Sequence, residues 1–375
     1  MIWKVPLFDL NYDEQEEQAA VEVIRSKWLT MGQRTQEFEQ AFAGYLGNNA
    51  SALAVSSCTA ALHLSLLAAN VEPGDEVIIS GLSFVASLNL VTLLGATPVV
   101  ADAGSLEDWN ISPEDIKRKI TCKTRAIILV HFAGYPCDMD VICQIAQEHR
   151  IVVIEDVAHA IGARYKGRAC GTLGDLACFS FFSNKNLSTG EGGMMVTARP
   201  ELYERLKLLR SHGMTSLTVE RHAGKASSYD VILPGLNYRI DEIRSAIGLV
   251  QLAKLDAANE RRRSLMAIYR RTLAGSSVAI PWSLHDDSSS SCHIAPVLLP
   301  EETDRAKVME LLKQEGIQTS IHYPQYSDFS CYRKLCLDTP VCSQISRRVL
   351  TLPLYPSMNA QQIDLICREL LRYAV

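Results

Sequence analysis

No apolar run in this chain approaches the length of a membrane span. The first residues, Met1-Ile2-Trp3-Lys4-Val5-Pro6, lack the basic start and apolar stretch of a secretory leader. These two absences lead to the expectation of a cytoplasmic protein with no membrane partner. A basic excess is also missing. The 37 Lys and Arg residues stand against 42 Asp and Glu, a net charge of −5, which gives no electrostatic reason to expect nucleic acid as a partner. The 11 cysteines form no Cys-x-x-Cys pair and no cluster with metal-ligand spacing, so buried free thiols in a reducing compartment are expected, with no metal site. Internal repeats are absent, and the only low-complexity tract is the run of four serines at 288–291.

What is present is an ordinary soluble composition, 47% hydrophobic and 21% charged over 375 residues, enough for two domains or for one large domain with an appendage. Between residues 52 and 171 short apolar runs alternate with helical patterns. Strands are predicted at 52–55, 76–79, 97–101, 126–131 and 152–155, with helices at 59–69, 85–94, 113–120 and 139–148. Ser112-Pro113-Glu114-Asp115 opens the third helix with a capping serine, a first-turn proline and early acids. Strands without clean alternation, separated by helices, indicate an α/β fold with a mostly parallel sheet covered on both faces. Ligands of such sheets collect at the carboxyl ends of the strands. Beyond residue 240 the pattern predicts one long helix over 241–273 with an exposed basic stretch, Arg261-Arg262-Arg263, and then a flexible serine loop at 286–291. A strand (293–298), a helix (303–314), a strand (317–322), an irregular loop and a closing helix (360–373) follow. The expected division is a large domain, 1–240, and a smaller α/β domain, 241–375.

Four segments fall at predicted strand ends and carry polar chemistry. Ser56-Ser57-Cys58-Thr59-Ala60-Ala61 joins a strand to a helix, where free backbone N–H groups and hydroxyls can hold a phosphate. Taken alone it also reads as a plain N-cap. Phe84 follows the next strand and can lie flat over a planar ring or simply pack in the core. Asp156 and His159 come from Glu155-Asp156-Val157-Ala158-His159; a carboxylate there can keep a pyridine nitrogen protonated, and it can equally be a capping or surface acid. Lys185 sits in a Gly/Ser/Asn-rich turn after the apolar run 177–182. A loop lysine is usually a solvated charge, but one held out of water becomes an amine nucleophile. Ser180 lies five residues before it, on the strand leading in. Gly190-Glu191-Gly192-Gly193 does not open a helix and is no dinucleotide fingerprint. In this order the segments supply what a phosphate-bearing pyridine aldehyde requires.

With those residues in place, the chain resembles the DegT/StrS-type nucleotide-sugar aminotransferases from about Pro6 to its end. The likeness is densest in Ser57-Cys58-Thr59-Ala60-Ala61-Leu62-His63, Pro73-Gly74-Asp75-Glu76-Val77, Gly95-Ala96-Thr97-Pro98-Val99 and Asp156-Val157-Ala158-His159-Ala160, and it continues through Ser180-Phe181, Lys185-Asn186, Gly190-Glu191-Gly192-Gly193 and Gly235-Leu236-Asn237-Tyr238-Arg239. The resemblance implies a fold-type I pyridoxal 5'-phosphate transferase, with Lys185 as the Schiff-base lysine and Asp156 on the pyridine nitrogen. It further implies His159 beside the ring hydroxyl, Phe84 stacked on the ring, and Thr59, Ala60 and Ser180 on the phosphate. Asn237 would reach across the interface of an obligate homodimer to the partner's phosphate. Trp28 and Thr30, within Trp28-Leu29-Thr30-Met31-Gly32, and His322 and Tyr323 would line the sugar-nucleotide cleft. In place of a further histidine after Pro324, this chain has Gln325-Tyr326-Ser327.

The activity implied is a ping-pong transfer of an amino group from L-glutamate to a 3- or 4-keto group of a nucleotide-linked deoxysugar. A keto-inositol or another cyclic ketone is the alternative acceptor, and a non-catalytic regulator that kept the fold is the alternative of another class. A deoxygenating branch of the fold resembles this one with histidine at the lysine position, and Lys185 argues against it. Specificity is expected to rest on loops at 218–229 and 327–337.

Overall fold

A computed structural model of the chain describes residues 3–216, 228–283, 287–335 and 337–374. Most of the loop expected at 218–229 lies outside these residues, as does position 336 of the second specificity loop. The centre is a seven-stranded sheet in the order β1-β9-β8-β5-β4-β2-β3. Its strands are β1 (Ser51–Val55), β2 (Glu76–Ser80), β3 (Thr97–Ala101), β4 (Thr124–Val130), β5 (Val152–Asp156), β8 (Leu176–Ser180) and β9 (Gly193–Thr197). A two-residue ribbon, β6 (Arg164–Tyr165) with β7 (Arg168–Ala169), lies between β5 and β8. All neighbours in the large sheet run parallel except β9, which is antiparallel to both β8 and β1. The sheet is mostly parallel, as the unbroken apolar runs indicate, because both faces are covered and every residue of β8 and β9 is buried.

One face packs on the helices Cys58–Ala68, Ala86–Leu93 and Pro200–Arg210 through Leu62, Leu66, Leu88, Val91 and Leu206. The opposite face is covered in part by Met139–His149, through Ile142 and Ile145, and in part by Gln33–Leu46, through Phe38 and Phe42. Capping follows the local chemistry. Ser112 Oγ accepts from Asp115 N (3.2 Å) ahead of Pro113, and Ser57 Oγ accepts from Ala60 N (3.1 Å). The carboxyl ends of β2, β5 and β8 open on one side, where the polar segments gather.

The long helix spans Glu242–Leu273, with Asp241 as its cap. Leu255 belongs to the core under the large sheet, whereas Leu265, Met266 and Tyr269 belong to a second core with Val297, Leu350, Ile363 and Ile366. That second core surrounds a two-stranded antiparallel pair, β10 (Ala295–Leu298) and β11 (Val349–Leu352), and also takes in Val5 from the N-terminal arm.

At its start the long helix caps another. Glu242 is buried, and its carboxylate accepts from Gly32 N (2.8 Å), Arg34 N (2.8 Å), Thr35 N (2.9 Å) and Thr35 Oγ1 (2.7 Å). It thus serves Gln33–Leu46, whose own cap residue, Gly32, has no side chain to offer. Glu242→Ala would leave the N–H groups of Gly32 and Thr35 buried and unpaired. The expected cost is about 2–4 kcal/mol of unfolding free energy, read by chemical denaturation; a loss within experimental error would remove this capping role.

Several expectations are corrected. Residues 317–322 form no strand, only isolated bridges Val5↔Ile317 and Ser320↔Thr351, because the backbone must bend to deliver His322 and Tyr323 towards the sheet ends. The irregular loop expected after residue 322 contains the helix Pro340–Arg348 and the strand β11. Pro340 at the first turn and the buried spacing Cys342, Ile345, Ser346 are ordinary helix signals. The serine loop is not a flexible one over its described residues. Asp287–Ser289 form a 3-10 turn pinned by Asp287, which accepts from Arg270 Nε (2.9 Å) and Tyr135 Oη (2.6 Å), and Ser290 and Ser291 are fully buried. Nor is the arginine run simply exposed. Arg262 is buried, donating to Leu354 O (2.7 Å) and His293 O (3.3 Å), and burial pushes its guanidinium down to about 10.

Candidate active site

At the carboxyl ends of β2, β5 and β8 lies a cavity of about 370 Å³, whose walls include Thr59, Phe84, Asp156, His159, Ser180, Lys185, His322 and Tyr323. Eight of the twelve residues singled out from the sequence therefore meet in one place although up to 264 positions separate them (59 to 323). Phe84 does not join the core. It is 58% exposed at the wall, with its ring 6.1 Å from that of Tyr323. Ala60 is buried behind the helix start, and its N–H is taken by Ser57 Oγ. The N–H groups of Cys58 and Thr59 have no partner among the described residues, so the first two amides of this helix face the cavity uncommitted.

Trp28, Thr30 and Asn237 do not line this cavity. Trp28 packs over Gly32, Thr30 is exposed, and Asn237 is exposed on the segment bridged to Ser211.

Glu155 and Asp156, adjacent in sequence, point to opposite faces of β5. Glu155 is fully buried and accepts from Gly171 N, Leu173 N, Gly174 N and His131 Nε2, at 2.7–2.9 Å. Burial opposes its charge, yet these donors hold its carboxyl below the usual range. The group fixes the loop behind β5 and takes no part in the cavity. Asp156 projects into the cavity with Oδ1 held by Ala158 N (3.0 Å) and near Cys58 Sγ (3.9 Å). Oδ2 has no partner among the described residues. Burial raises this carboxyl, and the Ala158 bond and the charge of Lys185 only partly compensate. Such a carboxylate awaits a cation.

Lys185 presents its amine to the same space. The walls strip water from Nζ and push its pKa down to about 8, against the opposing pull of Asp156 and Cys58. About a tenth of the amine is therefore uncharged at pH 7, far more than of a solvated lysine. His159 is buried, and its Nδ1 accepts from Ala133 N (3.4 Å), which can only donate. The remaining proton must sit on Nε2, facing Tyr323 Oη at 2.9 Å. Burial, with Lys185 and His322 nearby, holds His159 neutral, and burial lowers His322 to about 4.

These groups fit a phosphorylated pyridine aldehyde. An uncommitted helix start suits the phosphate, an unpaired buried carboxylate oxygen suits a protonated ring nitrogen, and a dehydrated amine suits the aldehyde. The glycines serve the same end. A Cβ on Gly193 would lie 2.6 Å from Ser57 C and 2.7 Å from Cys58 N, so only glycine lets β9 run against the helix start. Asn184 adds a buried Oδ1 at the same wall, without a partner among the described residues.

Sequence reasoning passed over His293. It is buried, 108 residues from Lys185 in sequence, yet its Nε2 lies 3.4 Å from Lys185 Nζ. The available signal was a lone histidine between a polar run and an apolar strand, which by itself denotes nothing.

The profile of the DegT/DnrJ/EryC1/StrS aminotransferase family matches residues 11–371. The spore coat polysaccharide biosynthesis protein SpsC of Bacillus subtilis is 38% identical over 362 residues, covering 94% of this chain and 92% of that one. Among solved structures, DesV of S. venezuelae in complex with a ketimine intermediate superposes with a TM-score of 0.90 at 33% identity, over 99% of this chain and 98% of that one. PseC of Helicobacter pylori, an aminotransferase involved in the biosynthesis of pseudoaminic acid, gives a TM-score of 0.91 at 29% identity, over 100% and 99%.

Proposed function

Because this chain belongs to the DegT/DnrJ/EryC1/StrS aminotransferase family, whose members are pyridoxal phosphate-dependent sugar aminotransferases, we propose that it moves the amino group of L-glutamate to a 3- or 4-keto group of a nucleotide-linked deoxysugar. The reaction is a ping-pong transfer in the cytoplasm, run by a homodimer in which Asn237 of each chain completes the partner's phosphate site. The observation that carries the reading is the pairing, in one cavity, of the dehydrated Lys185 amine with the unpaired Asp156 carboxylate.

Bound here, pyridoxal phosphate supplies a carbonyl for amines to condense with and a ring that draws electrons from the reacting carbon. Lys185 anchors the group and, once displaced, is the base that takes a proton from the donor carbon at Nζ and returns it. Asp156 Oδ2 keeps the ring nitrogen charged. The amides of Cys58 and Thr59, with the hydroxyls of Thr59 and Ser180, hold the phosphate. Nε2–H of His159 fixes Tyr323 at the wall, and Phe84 covers the open face.

The acceptor sugar is reached past Tyr323 and His322, the two expected cleft residues that line the cavity. The keto-inositol alternative uses the same first half-reaction. A regulator has no use for an amine pushed down to about 8 beside a carboxylate, which favours the enzyme.

The test mixes holoenzyme, L-glutamate and a panel of 3- and 4-keto-deoxysugar nucleotides and measures 2-oxoglutarate. Release that requires the keto-sugar is the expected result; release with keto-inositol alone would overturn the substrate assignment. Mixed dimers of Lys185→Ala and Asn237→Ala chains should regain roughly a quarter to a half of wild-type activity, since one of their two sites is intact. No recovery would refute the shared site.

A further inference from the structure

A chain of hydrogen bonds runs from the long helix to the amine of Lys185, and its direction is fixed at the far end. Asn259 Nδ2 donates to Ile161 O (3.0 Å), so Asn259 Oδ1 is left to accept. It accepts from Asn186 Nδ2 (2.7 Å), which also donates to Ser291 O (2.9 Å). Backbone carbonyls only accept, so both amides have one orientation. Asn186 Oδ1 must then accept from His293 Nδ1 (2.9 Å). With the imidazole neutral, Nε2 carries the lone pair, and it faces Lys185 Nζ. Burial first, then the neighbouring Lys185, His159, Arg262 and His322, keep His293 neutral.

We propose that His293 is a positioning residue for Lys185, holding one N–H of the amine so that the lone pair of Nζ points into the cavity. The inference rests on reading Lys185 as the amine that carries the proton. A free –NH2 on a four-carbon stem can turn about its last bond and present its lone pair in any direction. Engaging one N–H removes that freedom and leaves the lone pair and the other hydrogen for the cavity. When Nζ takes up a proton, the same acceptor partners the ammonium, so no new group has to move. Of the histidines at the cavity wall, His159 spends Nδ1 on Ala133 and Nε2–H on Tyr323, and His322 is turned by Nδ1 towards Thr351 Oγ1 (2.9 Å). The remaining titratable groups at the cavity are Asp156, Cys58, Tyr323 and Glu191. Asp156 and Cys58 act on Lys185 by charge, without the directional contact that His293 makes.

The experiment uses the full chain with His293→Phe and His293→Gln. Uptake of pyridoxal phosphate by cofactor-free protein needs the uncharged amine, so its rate against pH reports Nζ apart from turnover. In the wild type it should rise with a midpoint near 8. Phenylalanine removes the acceptor that favours the ammonium, and the midpoint should fall by about one pH unit. The glutamate half-reaction of the holoenzyme should slow roughly 10²-fold with KM within about twofold. Glutamine keeps an acceptor and should recover roughly tenfold of that loss. Should the phenylalanine chain not fold, Asn186→Ala, which frees the imidazole tautomer, is expected to act in the same direction with a smaller shift. A wild-type midpoint and rate, or equal damage by both substitutions at an unshifted midpoint, would overturn the proposal. If Lys185→Ala stayed active, the reading of Lys185 itself would fall instead.

Discussion

Lys185→Ala is expected to lower the glutamate half-reaction roughly 10⁴-fold or more, because anchoring and proton transfer are lost together. No other base replaces it. His159 has both ring nitrogens engaged, His322 commits Nδ1 to Thr351 and is kept neutral by burial, and His293 stands behind Nζ, outside the cavity lining. The substitution deletes a dehydrated amine from a polar wall, so the fold should persist and pyridoxal phosphate should still bind, held by its phosphate and ring without a covalent link. Small primary amines added to the solution should restore a part of the rate, more for those that fit the vacated space. A variant retaining more than about one hundredth of the wild-type rate would refute the role.

Asp156→Asn is the second large effect, and it has two sides. The amide keeps the volume and can still accept from Ala158 N through its oxygen. It removes a charge that burial disfavours in the cofactor-free chain, so the melting temperature of that form should stay the same or rise. The amide cannot hold a ring nitrogen protonated, so turnover should fall roughly 10³-fold. Thermal melts of the cofactor-free chain and rates of the loaded one separate the two sides. A destabilised fold with unchanged turnover would reverse the assignment and make Asp156 structural.

The sheet was readable from the sequence because its strands are short, apolar and bounded by capped helices. Thr97–Ala101 and the closing helix Ala360–Tyr373 fall on the predicted residues. The cavity residues Lys185, Asp156 and Thr59 were readable too, since each sits beside a strand end that marks itself locally. What failed was non-local. Ser291 looks like a linker residue until the carbonyls of Gly134 and His159 are placed against it. Arg262 looks solvated until two backbone carbonyls are seen to claim it. His293 had no neighbour in sequence to lend it meaning; its partner Asn186 lies 107 positions earlier, and Asn259, which orients Asn186, 34 positions earlier. Polar groups satisfied inside a protein cannot be told from polar groups bathed in water until the chain is folded.

Among the attachments carried by the rod from Glu242 to Leu273 are Glu242 on the amides at Gly32 to Thr35, Asn259 on Asn186, and Arg262 on the carbonyls of His293 and Leu354. Their angular phasing is set by the helical repeat alone. Inserting or deleting one residue between positions 243 and 258 would swing one fastening about 100° away from the others. Side chains on the wet flank can therefore drift freely, while the number of residues between these fastenings cannot change.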